Sequence, residues 1–248
     1  MFEKHNPIKG SRALECELHG LEELRKHKKL HGLDLPEVIE LKPDKLLLKS
    51  IESVPPTAKD WQNLGAGLAR LHQVQGESFG FYEDNFIGLN EQKNKPCNDW
   101  AEFFIKHRLY FQINLILSPS VKNEFLQIMT AIEGKLYTFL NQHNPRASLL
   151  HGDLWSGNVM FAKSGPYLID PAVYYGDREC DIAMTRLFGG FDSAFYKAYN
   201  ELYPLKENYE IREKIYNLYH YLNHYNIFGK SYLSACQRLT KELALSFL

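Results

Sequence analysis

Three oxygen-bearing side chains, Asp153, Asn158 and Asp170, stand at a spacing that suits one kind of chemistry. The first two lie in the segment His151-Gly152-Asp153-Leu154-Trp155-Ser156-Gly157-Asn158, and Asp170 follows the asparagine by twelve residues. In kinase loops of the form H-x-D-x-x-x-x-N, the aspartate accepts the proton of a hydroxyl, while the asparagine and a later aspartate hold Mg²⁺. Mg²⁺ prefers hard oxygen ligands and usually takes only one or two from protein. The pattern therefore predicts phosphoryl transfer, with Asp153 as catalytic base and Asn158 and Asp170 as metal ligands.

A short hairpin is needed to bring these side chains together. Residues 159–161 and 167–169 read as two strands around a turn at 163–166, where Gly165 and Pro166 stand. Such a hairpin presents Asp170 beside Asn158. A turn-capping role is the alternative for Asp153, because aspartate commonly bonds its own local backbone.

The remaining elements follow from hydrophobic periodicity and capping signals. Residues 11–30 read as one helix with a leucine stripe, and residues 35–41 and 45–51 as two short strands. Pro55 and Pro56 break regular structure and mark a boundary between residues 1–54 and 55–248. Beyond them Thr57 caps a helix. Further helices are expected at 98–116, at 118–143, from Asp181, and as a tyrosine-rich pair over 209–247.

Composition indicates a globular enzyme and excludes some other classes. The 248 residues are 44% hydrophobic and 24% charged, with a net charge of −1, so no basic surface for nucleic acid or an acidic membrane is expected. No apolar run approaches the length of a membrane span, and a signal peptide is not expected either. The four cysteines form no C-x-x-C pair, which is typical of reduced thiols in a cytoplasmic protein.

Several segments beyond the catalytic motif resemble one family. The chain is similar to the fructosamine kinases (ketosamine-3-kinases and their bacterial relatives), within the aminoglycoside-phosphotransferase branch of the kinase-like fold. The resemblance extends from Phe2 almost to the C-terminus. The segments that carry it, besides the catalytic loop, are Gly67-Leu68-Ala69-Arg70-Leu71-His72, Phe79-Gly80-Phe81, Asn85-Phe86-Ile87-Gly88, Asp99-Trp100-Ala101-Glu102-Phe103-Phe104, Gly176-Asp177-Arg178-Glu179-Cys180-Asp181-Ile182-Ala183 and Leu222-Asn223-His224-Tyr225-Asn226-Ile227-Phe228-Gly229.

The resemblance implies an α+β, protein-kinase-like fold of two lobes. The family begins with two strands joined by a glycine-rich loop over the ATP phosphates, and a third strand then bears a phosphate-binding lysine. Residues 2–6 resemble that third strand, which makes Lys4 the phosphate lysine and Glu17 its helix partner. Residues 1–54 are therefore expected to form a truncated N-terminal lobe without the first hairpin, and 55–248 a helical catalytic lobe. A solvated, frayed lysine is the alternative for Lys4.

Other roles also come from the resemblance. Lys49, Ser50 and Ile51 match the hinge that binds adenine through its backbone, although they could be an ordinary edge strand and the match could slip by a residue or two. Asp181 is expected to bond the backbone of the catalytic loop. Asn223 and His224 could face the substrate cleft, while the tyrosine stripe around them is more typical of a core.

These observations together predict an enzyme that uses ATP and Mg²⁺ to phosphorylate a sugar hydroxyl of a ketosamine such as fructosyl-lysine. A catalytically dead or truncated kinase-like binding protein is one alternative. A kinase for another small acceptor, of the aminoglycoside or choline type, is a second. Residue spacing does not identify the acceptor or the oligomeric state.

Overall fold

A computed structural model describes residues 1–248 as ten α-helices and nine short strands. The strands are β1 (Phe2–His5), β2 (Val38–Leu41), β3 (Lys45–Leu48), β4 (Asn85–Ile87), β5 (Asn90–Gln92), β6 (Ser148–Leu150), β7 (Val159–Ala162), β8 (Gly165–Leu168) and β9 (Tyr174–Gly176). The helices are α1 (Ala13–Lys26), α2 (Lys28–His31), α3 (Ala58–Leu71), α4 (Trp100–Phe104), α5 (Phe111–Leu115), α6 (Pro119–Gln142), α7 (Glu179–Thr185), α8 (Ser193–Leu202), α9 (Tyr209–Phe228) and α10 (Leu233–Phe247).

The N-terminal sheet is antiparallel, with strand order β1-β3-β2. Its central strand β3 pairs Leu46 with Lys4 and Leu48 with Phe2. Because side chains alternate along a strand, Leu46 and Leu48 share a face, and both pack with Leu14 of α1 in a small buried cluster. The sheet thereby fixes the backbone of Lys4 against a helix that also carries Glu17.

Two expectations about this region are wrong in detail. The single helix expected over 11–30 ends at Lys26 and resumes as the short α2. The carbonyl of Leu24 accepts from the backbone of His27 and from Nε2 of His31, so the regular helical bond does not form there. The strands expected over 35–41 and 45–51 are shorter, β2 and β3. Pro36 has no N–H to give to a ladder, which agrees with the later start of β2.

The main core joins α1 to the helical part of the chain. It contains 50 buried residues, including Leu21 and Leu24 of α1 as well as buried apolar side chains of the helices after Pro56. Helices α3 and α8 approach closely at Gly65, where an added Cβ would lie 2.2 Å from the carbonyl oxygen of Phe195. Helix α1 therefore shares the main core with the rest of the chain, whereas the N-terminal sheet packs in its own small cluster.

The other predicted elements are confirmed with small changes. Thr57 caps α3 in a reciprocal pair with Asp60, whose amide lies 3.3 Å from Oγ1 of Thr57. The helix expected over 98–116 is α4 and α5 joined by a π-helical segment, Ile105–Tyr110. The hairpin before Asp170 is β7 and β8, and the tyrosine-rich pair is α9 and α10. No helix combines the length and the apolarity that crossing a bilayer would require.

Candidate active site

The backbone of the catalytic loop is held by a buried carboxylate. Asp181 of α7 accepts hydrogen bonds from the amides of His151 at 2.8 Å and Gly152 at 2.9 Å. Burial alone would raise the pKa of Asp181, but the hydrogen bonds from His72 and from the Gly152 amide help to outweigh burial and hold the pKa below its usual range. The predicted contact of Asp181 with this loop is confirmed, and it leaves Asp181 without a chemical role.

His151 ties the loop to the hairpin that delivers Asp170. Its ring is fully buried, Nε2 lies 2.9 Å from the carbonyl oxygen of Ile169, and Nδ1 accepts from the amide of Asp153. Nδ1 accepts, so Nε2 must carry the proton and donate, which fixes a neutral tautomer. Burial also lowers the pKa of His151. The ring is thus a structural connection between the two halves of the site.

Asp153 and Asn158 are held together by two hydrogen bonds from one amide group. Nδ2 of Asn158 donates to the backbone carbonyl of Asp153 at 2.8 Å and to its carboxylate Oδ2 at 3.1 Å. Burial raises the pKa of Asp153 to about 7, and the bond from Asn158 opposes that shift. The amide nitrogen of Asn158 is occupied, which leaves its Oδ1 oxygen as the group that can bind a cation.

Asp170 and Lys4 meet across the site. Asp170 adopts a left-handed φ of 52°, and its Oδ1 lies 2.9 Å from Nζ of Lys4. The same Nζ lies 2.6 Å from Oε2 of Glu17. Burial alone would lower the pKa of Lys4, but the charges of Glu17 and Asp170 outweigh it and raise the pKa. Lys4 is therefore ion-paired in the site rather than frayed.

One cavity of about 300 Å³ collects most of the expected site residues. It is lined by Lys4, Glu17, Asp153, Asn158 and Asp170. Its walls also include residues that were not among the expected site residues: Asn85, Phe86 and Trp155, the last of which was expected to serve packing. The sequence signal for Asn85 and Phe86 was their position in a segment similar to the fructosamine kinases.

The three hinge candidates lie elsewhere. Lys49, Ser50 and Ile51 line a second cavity of about 670 Å³, together with Lys163 and Tyr167 of the hairpin. The four residues of β7 separate the two cavities by roughly 13 Å of strand. The amide of Lys49 already donates to the carbonyl of Glu37 at 2.9 Å, so that N–H is not available to a ligand. Ser50 and Ile51 are the better-placed members of the group.

The chain after Asp170 is held by side-chain amides that sequence reasoning missed. Nδ2 of Asn85 donates to the carbonyl of Val173 at 2.7 Å, and Nε2 of Gln92 donates to that of Ala172 at 3.0 Å. A buried Asn or Gln at a strand end gives no local signal of such a partner. The amides restrain the segment that leads away from the metal-ligand candidate.

The two cleft candidates on α9 have different environments. Asn223 is buried, and its Oδ1 accepts from Asn90 at 2.8 Å and from Gln112 at 3.1 Å, so a cleft-facing position is wrong for it. His224 is half-buried and its ring centroid lies 4.7 Å from that of Phe188.

Comparison with known proteins agrees with this geometry. A family model for fructosamine kinase matches residues 1–246. A Vibrio cholerae protein named "Probable ketoamine kinase" is 40% identical over 233 residues, which cover 90% of this chain and 78% of that protein. A solved structure from Haemophilus somnus, described as a candidate fructosamine-3-kinase, has a TM-score of 0.83 at 30% identity and covers 97% of this chain and 82% of its own.

A more distant solved structure extends the likeness of the fold. The ADP-bound aminoglycoside phosphotransferase APH(2″)-Ib matches with a TM-score of 0.61 at 14% identity, covering 96% of this chain and 86% of that one. At that identity the likeness concerns the fold alone, which is protein-kinase-like, as the sequence predicted. With the family model matching nearly every residue and relatives at this identity, the chain belongs to the fructosamine kinase family.

Proposed function

We propose that this chain transfers a phosphoryl group from ATP to a sugar hydroxyl of a ketosamine. The observation that carries the proposal is the shared cavity of Asp153, Asn158, Asp170 and Lys4, in which a carboxylate with a pKa near 7 adjoins two oxygen ligands and an ion-paired lysine. The name of the Vibrio cholerae relative supports a ketoamine as the acceptor class.

The residues present fit a Mg²⁺ ion. The amide nitrogen of Asn158 donates to Asp153, so its Oδ1 can bind a ligand. The Asp170 side chain is 43% exposed, and one of its oxygens does not contact Lys4. One neutral and one charged oxygen ligand match what Mg²⁺ usually takes from protein. When bound, the ion would neutralise charge on the nucleotide phosphates.

Asp153 would act on the acceptor. A carboxylate with a pKa near the working pH can accept a proton without being too weak a base. As the acceptor oxygen bonds to the γ-phosphorus, its proton passes to Asp153 and ADP leaves. Lys4, oriented by Glu17, would hold the phosphates in line. Phosphoryl transfer needs little covalent help from protein, so most of the acceleration would come from this positioning.

The adenine would bind in the second cavity, against Ser50 and Ile51, with Lys49 contributing side chain rather than amide. In this arrangement residues 1–54 would hold the nucleotide, and residues 55–248 would supply the base and the metal ligands. The hairpin of β7 and β8 connects the two cavities, because its turn lines the second and the residues at its two ends, Asn158 and Asp170, line the first.

An assay of the chain with Mg·ATP and fructosyl-lysine tests the proposal. We expect ADP to form together with a phosphorylated ketosamine detected by mass spectrometry, and neither to form without Mg²⁺. Aminoglycoside and choline acceptors run in parallel should give no product. Nucleotide binding without ADP formation on any acceptor would instead favour the catalytically dead alternative.

A further inference from the structure

Five ring side chains form a cluster beside the catalytic loop that is not part of the hydrophobic core. This cluster, here called the aromatic wall, consists of Trp155, Phe188, His224, Phe228 and Tyr232. Its ring centroids lie between 4.7 Å and 6.4 Å from their neighbours. None of the five belongs to the 50-residue core or to the partly buried side chains packed against it. A contiguous accessible patch of this kind on a globular protein commonly marks a binding site.

Trp155 joins the aromatic wall to the catalytic cavity. Its ring lies over Gly157, where an added Cβ would sit 2.3 Å from the indole, so glycine at this position leaves the room that the ring occupies. The same tryptophan lines the cavity that contains Asp153 and Asp170. At its other end the wall reaches Phe228, whose side chain is 61% exposed. The wall thus forms a path from the proposed base to solvent.

Phe188 holds its place in the wall at a conformational cost. It has a left-handed φ of 53°, which is unusual for an aromatic residue, and two glycines with positive φ follow it. The ring contacts Trp155, His224 and Tyr232, and it also lies against Tyr221, which packs on the core. Backbone strain of this kind clusters at functional segments.

The wall is apolar and carries no charge at neutral pH. Nδ1 of His224 donates to the carbonyl of His220 at 2.8 Å, which leaves Nε2 as an acceptor in the neutral ring. Burial lowers the pKa of His224, so the ring stays uncharged. Faces of uncharged rings attract an ammonium group and also cover hydrocarbon. A ketosamine carries both, because its sugar is joined to an alkylamine that is protonated at neutral pH.

We propose that the aromatic wall binds the amine side of the acceptor, namely the protonated amine and the hydrocarbon attached to it. This inference rests on the proposed function, and it names the part of the ketosamine that is recognised apart from the sugar. The sugar hydroxyl would meet Asp153, while the amine substituent would extend past Trp155 towards Phe228. The chain should accordingly prefer ketosamines of large or aromatic amines over fructosamine with no substituent on nitrogen.

Two acceptors and three variants test the wall. The acceptors are N-benzyl-fructosamine and unsubstituted fructosamine. With the benzyl compound, Phe228→Ala should raise KM about five- to thirtyfold at similar kcat, because Phe228, at the solvent end of the wall, would contact the ring attached to nitrogen and not the ammonium group that both acceptors share. With fructosamine, the same variant should change KM by less than about twofold. Phe228→Tyr should restore the low KM, and Leu117→Ala, at a side chain 97% exposed, should match the unaltered chain.

The outcomes separate this inference from the proposed function. An equal change of KM for both acceptors, or no recovery in Phe228→Tyr, would overturn the role of the wall while leaving the kinase activity intact. If neither acceptor is phosphorylated, calorimetric binding of the benzyl compound decides the matter. Tight binding that Phe228→Ala weakens would support the wall without the kinase activity, and binding that is absent or unaffected by the variant would overturn it.

Discussion

His72 and Asp181 are 109 positions apart in sequence, yet Nε2 of His72 lies 3.1 Å from Oδ2 of Asp181 inside the core. The other ring nitrogen, Nδ1, lies 2.7 Å from the hydroxyl of Tyr199. Since the hydroxyl can donate to Nδ1, the ring is neutral and its Nε2–H is given to the carboxylate. Burial lowers the pKa of His72, which agrees with that tautomer. Through Asp181, His72 supports the amides of His151 and Gly152 without touching the cavity.

His72→Leu should therefore destabilise the fold and disturb the catalytic loop. It leaves the buried carboxylate of Asp181 with one donor fewer, which typically costs about 1–3 kcal/mol. Tyr199→Phe should destabilise the fold less than His72→Leu, because it removes only the hydroxyl that contacts Nδ1 of His72 and Arg178. Urea unfolding of the unaltered chain and the two variants measures their free energies of unfolding and so tests this order. A larger loss in Tyr199→Phe than in His72→Leu would contradict the support role of His72.

Asp153→Asn should reduce turnover by about 10²–10⁴ while Mg·ATP still binds, because general-base assistance typically contributes that much. The substitution keeps the size of the side chain and removes the proton acceptor. Steady-state phosphorylation of fructosyl-lysine and calorimetric nucleotide binding are the two measurements. A variant that keeps most of the activity would show that Asp153 is a turn residue.

Asp170→Ala should weaken the Mg²⁺-dependent binding of ATP, because the oxygen of Asn158 is neutral and cannot replace a lost carboxylate. The variant also removes one of the two anions that pair with Lys4, so binding of ATP without Mg²⁺ serves as the control. Titrations with and without the metal should differ much less in the variant than in the unaltered chain. Equal metal dependence in both would remove Asp170 from the metal site.

The pair Gly65→Ala and Gly134→Ala should change stability in opposite directions. A Cβ at Gly65 would lie 2.2 Å from the backbone oxygen of Phe195, so α3 and α8 must separate, at a cost of about 1–3 kcal/mol. At Gly134, in the exposed middle of α6, nothing lies within 4 Å, and alanine should stabilise by about 0.5–1 kcal/mol. Thermal melts compare them directly, and a shift of the same sign would refute the close approach at Gly65.

Acid should destabilise the protein partly through His220. Burial lowers the pKa of His220 to about 3, and its Nδ1 has no hydrogen-bond partner. In the unfolded chain the pKa is about 6.5, so between these values the unfolded state binds one more proton. The contribution of neutral His220 to the free energy of unfolding is thus fully present above pH 6.5. It is lost as the pH falls towards 3, by about 1.4 kcal/mol for each pH unit.

His220→Leu removes this proton uptake. Between pH 7.5 and 5.5 the unaltered chain should lose about 1.4 kcal/mol more than the variant, as judged by urea unfolding at both values. His72 and His151 are also buried with lowered pKa, so the variant keeps part of the acid sensitivity. Identical losses in the two proteins would mean that His220 is protonated in the folded state.

The amino-acid sequence by itself determined the local parts of the site. The spacing of Asp153 and Asn158, and the hairpin that leads to Asp170, predicted which side chains would share a cavity, because a tight loop and a two-residue turn leave few backbone paths. The capping of α3 by Thr57 was predicted for the same reason, since both partners lie within one turn of helix.

Tertiary structure decided everything that depends on distant partners. The end of α1 depends on the bond from His31 to Leu24, and the amide of Lys49 is taken by the carbonyl of Glu37, just before β2. Asn223 turned out to be buried among other amides, whereas His224, one residue later, lies in the aromatic wall. Periodicity places a side chain on a face of its own helix, but only the packing of other elements decides whether that face meets core, cavity or solvent.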